Sequence, residues 1–210
     1  GLVTIAAPSS TFTIYAKEEP GTLVKAVDDD ADFRELIGDP RISAVLAGPG
    51  LGVSEATRER VLSLLSSGKA TVLDADALSA FAGDPETLFG AINGPCLMTP
   101  HEGEFNRLFA IEGDKLTRTR RAAEVSGAVV LFKGADTVIA DPDGNLVINA
   151  HASPDLATAG SGDVLAGMAL GLIAQGMTPF QAGCASAWIH GAAGAKTGPG
   201  LIAEDLPANL

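Results

Sequence analysis

Aromatic residues are scarce, at 5% of 210 residues with a single Trp and a single Tyr, although 46% of the chain is hydrophobic. A core built from this composition must be filled by small aliphatic residues and alanine. Basic residues are also few. Lys and Arg number 14 against 26 Asp and Glu, which leaves a net charge of −12 at pH 7, and no basic cluster breaks the acidic background. Nucleic acid and anionic membrane surfaces need concentrated Lys and Arg to replace counterions, so both are disfavoured as partners. A nucleotide stays possible, because backbone N–H groups can hold phosphates without bulk positive charge. The two cysteines, Cys96 and Cys184, lie far apart in apolar contexts, and free thiols in a reducing cytosol are expected rather than a disulfide. No long hydrophobic run occurs: Val164–Ile173 is the most apolar stretch, and it falls well short of the ~20 helical residues needed to cross a bilayer. A cytoplasmic protein with no secretion signal is the expectation.

The length suits one large domain. The chain opens directly on an apolar run, Leu2–Ala6, that reads as a buried strand. The expected organisation is therefore a single domain over 1–210 from which an earlier strand and helix are missing. Further strands are expected at Ala44–Ala47, Thr71–Leu73, Cys96–Met98 and Val129–Phe132, each short, apolar and ended by Gly, Asp, Thr or Lys. Helices are expected at Ser54–Ser67, with Ser54 as N-cap and Gly68 as stop, at Glu102–Phe109, and at Lys115–Ser126, stopped by Gly127. Alternation of this kind implies parallel strands joined by crossover helices, an α/β layered domain. Thr137–Ala140 and Leu146–Asn149 flank Asp141-Pro142-Asp143-Gly144 and read as a β-hairpin. The last third carries two Ala- and Gly-rich helices, Val164–Gln175 and Pro179–Lys196, and the spacing of Gly167 and Gly171 suggests a face for close helix contact. Gly48, Asp74, Thr99 and Lys133 each follow a strand end, where open α/β sheets bind ligands, so the four should converge on one crevice.

Four constellations carry chemistry. In Thr158-Ala159-Gly160-Ser161-Gly162-Asp163 the glycines let the backbone approach a ligand, and the following helix adds unpaired donors and a positive dipole end. Asp163 could deprotonate a hydroxyl that attacks a phosphoryl group held there, or it could simply cap the helix. In Thr99–Phe105, His101 could hydrogen-bond a substrate and a carboxylate could hold a metal-bound water. Acids suit a helix start, which accounts for Glu102 and Glu104 but leaves His101 unexplained. No second His follows on that face, so the HExxH zinc motif is excluded. Lys133-Gly134-Ala135-Asp136-Thr137 could bring an ammonium and open backbone to phosphates, though Lys-Gly alone is common. Gly48-Pro49-Gly50-Leu51-Gly52 imitates a dinucleotide fingerprint, but Val53 stands where the third glycine belongs and Pro49 removes a donor, so substrate contact is the better reading. Asp74 and Asp76 either face the crevice or cap the short helix after them. His151 reads as a loop residue and His190 as a helix residue packed or hydrogen-bonded within the fold.

Taken in order, Ala47–Gly52 (AGPGLG), Leu73–Leu78 (LDADAL), Thr99–Phe105 (TPHEGEF), Lys133–Thr137 (KGADT) and Leu156–Gly167 (LATAGSGDVLAG) resemble the NAD(P)H-hydrate dehydratase family of the ribokinase-like superfamily. The likeness runs over nearly the whole chain. It implies a three-layer αβα sandwich with a mostly parallel central sheet and a β-hairpin. It also implies a metabolite-repair reaction, dehydration of hydrated NADH or NADPH with ADP or ATP as phosphoryl donor. In that reading Asp163 is catalytic and, with Gly50, His101, Glu102, Gly103, Glu104, Phe105, Asn106 and Arg107, binds the hydrated cofactor. Lys133, Gly134, Ala135, Asp136, Thr137, Gly160, Ser161 and Gly162 bind the nucleotide, and Mg²⁺ neutralises the phosphates through water held by Glu104. The resemblance further implies a homo-oligomer, with tetramers common among relatives, and NAD(P)H-hydrate epimerase as functional partner. Asp155 departs from the pattern where related sequences often carry glycine. The nearest rival is a kinase of the same superfamily that phosphorylates a vitamin-precursor alcohol without elimination. A noncatalytic nucleotide sensor and a Rossmann dehydrogenase are more distant alternatives.

Overall fold

The computed structural model describes residues 2–18 and 21–210, and their contacts fall into two compact units, 1–42 and 43–210. The first unit holds β1 (Thr4–Ala7), α1 (Ser9–Glu18), β2 (Leu23–Ala26) and α2 (Asp30–Gly38). β1 and β2 pair in parallel, Thr4 opposite Leu23 and Ala7 opposite Ala26. The opening run is not the buried strand expected from its apolarity. The strand starts at Thr4, Leu2 and Val3 are 87% and 58% exposed, and Ala7 is the residue that is buried. A two-stranded sheet has no central strand to be covered on both faces. α1, β2 and α2 lie where no element is expected from the sequence. α2 begins on Asp29, whose carboxylate accepts from the amides of Ala31 and Asp32 at 2.8 and 2.9 Å, a cap available in the Asp28–Asp30 run.

The second unit is built on a six-stranded sheet. Its strands are β3 (Ala44–Ala47), β4 (Ala70–Leu73), β5 (Cys96–Met98), β6 (Val129–Phe132), β7 (Thr137–Ala140) and β8 (Leu146–Asn149), and their spatial order is their chain order. β3 to β6 run parallel. β7 and β8 turn back antiparallel, so the expected hairpin is the end of a three-strand meander. The helices are α3 (Glu55–Ser66), α4 (Asp76–Ser79), α5 (Pro85–Ala91), α6 (Glu102–Leu108), α7 (Lys115–Ser126), α8 (Ser161–Ala174) and α9 (Pro179–Thr197). Several start and stop where their chemistry says: the Ser54 hydroxyl accepts from the Thr57 amide, Gly127 takes the left-handed conformation after α7, and Thr178 forms a capping box with Gln181.

Alternation along the strands splits the core into two faces. Leu73, Met98, Val130 and Phe132 pack against α3 to α7 through Val61, Leu78, Leu88, Phe105 and Ala122. Val72, Leu97, Leu131 and Ile139 face the other way, onto Leu165 and Ala169 of α8 and Ala182 and Ala187 of α9. Helices therefore lie on both sides of a mostly parallel sheet, the three layers of the ribokinase-like class. Close helix packing does not use the glycines expected. A Cβ on Gly167 or Gly171 would meet open space, whereas one on Gly191 would lie 1.7 Å from the His151 carbonyl and one on Gly194 would run into Leu156. The tight approach belongs to α9, because it is α9 that lies on the loop before α8. Cys96 and Cys184 are both free thiols. Among the described residues no helix is long and apolar enough to cross a membrane.

With aromatics so few, the Phe105, Phe109 and Phe132 cluster concentrates much of the large-side-chain packing on one face: Phe105 stacks on Phe132 at 4.1 Å between centroids and touches Phe109 at 4.8 Å. Phe105→Ala removes a fully buried ring and should destabilise the protein by about 3–5 kcal/mol. Chemical denaturation measures this, and an unchanged midpoint would show that the ring is not a core element.

Candidate active site

The crevice is made by backbone joins between successive strand ends. The Asp74 amide donates to the Ala47 carbonyl at 3.1 Å, the Thr99 amide to Leu73 at 3.0 Å and the Lys133 amide to Pro100 at 2.9 Å. The segments that follow β3, β4, β5 and β6 are thereby stitched side by side. Gly48, with φ 143°, tolerates no side chain, because a Cβ would stand 1.7 Å from the Asp74 carbonyl oxygen. The glycine turn beyond it is tied to α4, the Gly52 amide donating to Asp76 at 2.8 Å. Asp74 and Asp76 therefore face the crevice rather than cap α4, whose first turn has no side-chain cap.

One cation sits among the carboxylates. Lys133 Nζ donates to Asp74 Oδ1 at 2.8 Å and lies 4.0 Å from Glu104 Oε2. The same ammonium borders the first turn of α8, 3.3 Å from where a Cβ on Gly162 would be. Asp74 is 1% exposed, and its second oxygen, Oδ2, is buried without a partner among the described residues. α8 begins at Ser161, three residues before the expected start, with Gly160 as a left-handed N-cap that offers no side chain. Gly162 and Asp163 thus occupy the first helical turn, where amides have no intrahelical acceptor. Asp163 holds its proton more tightly than an ordinary carboxylic acid. Partial burial is the main cause, the Asp74 charge adds to it, Lys133 opposes it, and Asp76 contributes a smaller push upward.

The expected nucleotide residues gather around one cleft. Lys133, Gly134, Ala135, Thr137, Ser161 and Gly162 line a cavity of about 350 Å³, whose far wall is formed by Asn149, Pro154, Leu156, Ala187 and His190. Gly160 and Asp136 stand apart from that lining; Gly160 is the left-handed N-cap of α8 and Asp136 pairs with Lys115 at 3.0 Å. The expected substrate segment divides. His101, Glu102, Asn106 and Arg107 are exposed, and Arg107 reaches the Ser79 hydroxyl at 3.4 Å. Gly50 is exposed in the glycine turn, with φ 72°, and Gly103 leaves its Cβ position against the His101 ring, 2.9 Å from Cε1. Phe105, by contrast, has its ring sealed in the core and presents no side chain to the crevice. His101 has a structural explanation that the residue pattern did not suggest: it is the N-cap of α6, its Nδ1 accepting from the amides of Gly103 and Glu104 at 2.9 and 3.2 Å. A neutral imidazole can do this where an imidazolium cannot. Glu104 completes the box by accepting from the His101 amide at 2.8 Å.

The family model for NAD(P)H-hydrate dehydratases matches residues 1–204. The chain belongs to the NAD(P)H-hydrate dehydratase family. It is 41% identical over 208 residues to a bifunctional NAD(P)H-hydrate repair enzyme of Moorella thermoacetica, a match that takes in 92% of this chain and 39% of that protein. It is 38% identical over 181 residues to an ADP-dependent (S)-NAD(P)H-hydrate dehydratase of Neisseria meningitidis, covering 79% of this chain and 60% of that one. The chain thus spans less than two thirds of the length of these curated relatives. Among solved structures it is similar to the ADP/ATP-dependent NAD(P)H-hydrate dehydratase of Bacillus subtilis co-crystallised with ATP and Mg²⁺ and soaked with CoA. That likeness has a TM-score of 0.81 and 26% identity, and covers 100% of this chain and 80% of that chain.

Two side chains at this dehydratase-family site were not among the expected site residues, although His190 was expected to be packed or hydrogen-bonded within the fold. Lys115 lies under the Lys133–Thr137 turn, donating to the Lys133 carbonyl at 3.3 Å and crossing the Phe132 ring at 4.8 Å. His190 reaches from α9 to the Ser161 hydroxyl at 3.0 Å. Neither carries a local signal, since each partner is distant in sequence.

The raised proton affinity of Asp163 has a thermodynamic consequence. Between the unfolded and folded pKa values the folded chain binds more protons, so stability falls as pH rises through that window and the penalty is complete above it. Asp163→Asn should therefore melt at a higher temperature than the parent at pH 7, with the gain shrinking as the pH is lowered into the ordinary aspartate range. A variant that melts lower at pH 7 would contradict the electrostatic picture.

Proposed function

We propose that this chain dehydrates hydrated NADH or NADPH at the expense of ADP or ATP. What carries the reading is the position of Asp163, a carboxylate of raised proton affinity in the helical turn whose preceding residues, Ser161 and Gly162, line the cleft beside Lys133. The Neisseria relative's name supports ADP as donor.

The nucleotide lies in the cleft with its terminal phosphate toward the first turn of α8 and its remaining phosphates near the Lys133–Thr137 turn. The hydrated nicotinamide ring enters from the glycine-turn side, over Gly50 and the exposed face of α6. Asp163 takes the proton of the ring hydroxyl as its oxygen bonds to the terminal phosphorus. The bond from that phosphorus to the bridging oxygen breaks, and AMP leaves when ADP is the donor. The amides of Gly162 and Asp163, together with the Lys133 ammonium, stabilise charge on the transferring group. Phosphate is a far better leaving group than hydroxide. The ring carbon–oxygen bond then breaks, a proton is lost from the neighbouring carbon, and the reduced nicotinamide is restored.

Mg²⁺ fits the donor set here. Among the described residues no three His, Cys, Asp or Glu side chains cluster to hold a metal by themselves, but Mg²⁺ commonly relies on one or two carboxylates, water and substrate phosphates. The unpartnered Asp74 Oδ2 and the Glu104 carboxylate retain acceptor capacity for such water. When bound, the ion neutralises phosphate charge. The bifunctional name of the Moorella relative supports an epimerase as functional partner, and an oligomeric assembly is part of the proposal.

Supplying hydrated NADH with ADP or ATP should restore the absorbance of NADH. Asp163→Asn should cut that rate by at least about a hundredfold, within the usual contribution of a general base, while nucleotide binding persists. A stable phosphorylated alcohol with no return of absorbance would make the chain a kinase instead.

A further inference from the structure

Ser161 and His190 form a buried pair at the wall of the nucleotide cleft. Ser161 opens α8 and is 3% exposed, His190 sits on α9 at 8%, and Ser161 Oγ and His190 Nε2 are 3.0 Å apart. Both residues line the cleft. The Ser161 amide is turned back toward the Thr158 carbonyl at 3.4 Å, so what Ser161 can offer a ligand is its hydroxyl. His190 has little room to retreat. The next residue, Gly191, lies so close to the His151 carbonyl that a Cβ would fall 1.7 Å from it, which pins this part of α9 to the loop that leads into α8.

The pair can be wired in two ways, and they are opposite toward a phosphate. If the imidazole proton is on Nδ1, Nε2 accepts from the Ser161 O–H, and the hydroxyl turns its lone pairs to the cleft, against phosphate oxygens. If the proton is on Nε2, the imidazole donates to Ser161 Oγ, and the hydroxyl proton is free to point into the cleft. We propose that His190 is a positioning residue that keeps its proton on Nε2 and donates to Ser161, so that the Ser161 hydroxyl donates to a phosphate oxygen of the bound nucleotide. Burial, and to a smaller extent the nearby Lys133 charge, disfavours an imidazolium at His190 and outweighs the opposing effect of a hydrogen bond with the Ser161 backbone, so the ring has a single proton to place. The site then gains a hydroxyl donor beside the amides of Gly162 and Asp163 and the Lys133 ammonium, carried by α8 itself and oriented from α9.

This inference rests on the proposed nucleotide site and is tested apart from the dehydration. Nitrogen-15 NMR of histidine-labelled protein, with the His190 signals assigned by their loss in His190→Gln, reads the tautomer directly in the unsubstituted chain. Nε2–H is expected, and Nδ1–H overturns the proposal. Calorimetric titration with ADP gives the second readout. His190→Leu should weaken ADP binding by roughly tenfold or more, the loss expected for a hydrogen bond to a charged group, with KM for hydrated NADH unchanged. His190→Gln, whose amide N–H can replace Nε2–H, should restore most of the affinity. Ser161→Ala should match His190→Leu, and joining the two should add little. ADP affinity unchanged in His190→Leu overturns the proposal. Failure of NADH to form in a chain that binds ADP would count against the reaction and leave the tautomer result standing.

Discussion

The ion pair between Lys133 and Asp74, closed to 2.8 Å with the carboxylate 1% exposed, is the constraint from which the crevice follows. It spans β5 to join the ends of β4 and β6. Burying two charges is expensive, and a pair of this kind is often no better for stability than apolar side chains of the same size. Losing Lys133 is another matter, because the buried Asp74 carboxylate would be left without its cationic partner. The pair therefore holds two strand ends in register with each other and places both signs of charge beside the first turn of α8.

Much of the surrounding chain accommodates that pair. Gly48 has no side chain where one would strike the Asp74 backbone, the Thr99 amide and hydroxyl both donate to Leu73, the residue before Asp74, and the Lys133 amide is bound to Pro100. At Asp163, where partial burial is the main reason for a raised proton affinity, the pair adds opposed influences, Asp74 raising it further and Lys133 lowering it. A base for a hydroxyl needs a proton affinity above that of a free carboxylate, yet it must remain ionised near neutrality. In the proposed reaction, burial and the two charges together set how far Asp163 meets the first requirement without losing the second.

What could be read from residue order was whatever depends on short-range rules. Strand ends, caps and stops were legible at Ser54, Gly127 and the parallel core strands, and topology then brought the residues after those strands to one edge. α5 was also within reach, since Asp84-Pro85-Glu86 is an acidic, proline-led helix start. Partner choice was not legible. Lys133 and Asp74 are 59 residues apart and Ser161 and His190 are 29 apart, and no local pattern selects one partner over another at such distances. The segment around His101 shows the same limit at short range: its residue types suggested ligand chemistry, while the structure uses His101 to cap α6 and Phe105 to fill the core. Gly167 and Gly171 had helix-packing spacing, but spacing does not say which side of α8 meets α9. The exposure of Leu2 and Val3 likewise depends on which strands assemble beside them.

In the proposed reaction the ring hydroxyl attacks the nucleotide and its oxygen leaves as part of phosphate. Oxygen-18 placed in the ring hydroxyl of hydrated NADH follows the atom itself. After turnover with ADP, the account predicts the label in inorganic phosphate, one labelled phosphate for each NADH formed. Label released as water, with unlabelled phosphate, would show that hydroxide is expelled directly and would contradict the account.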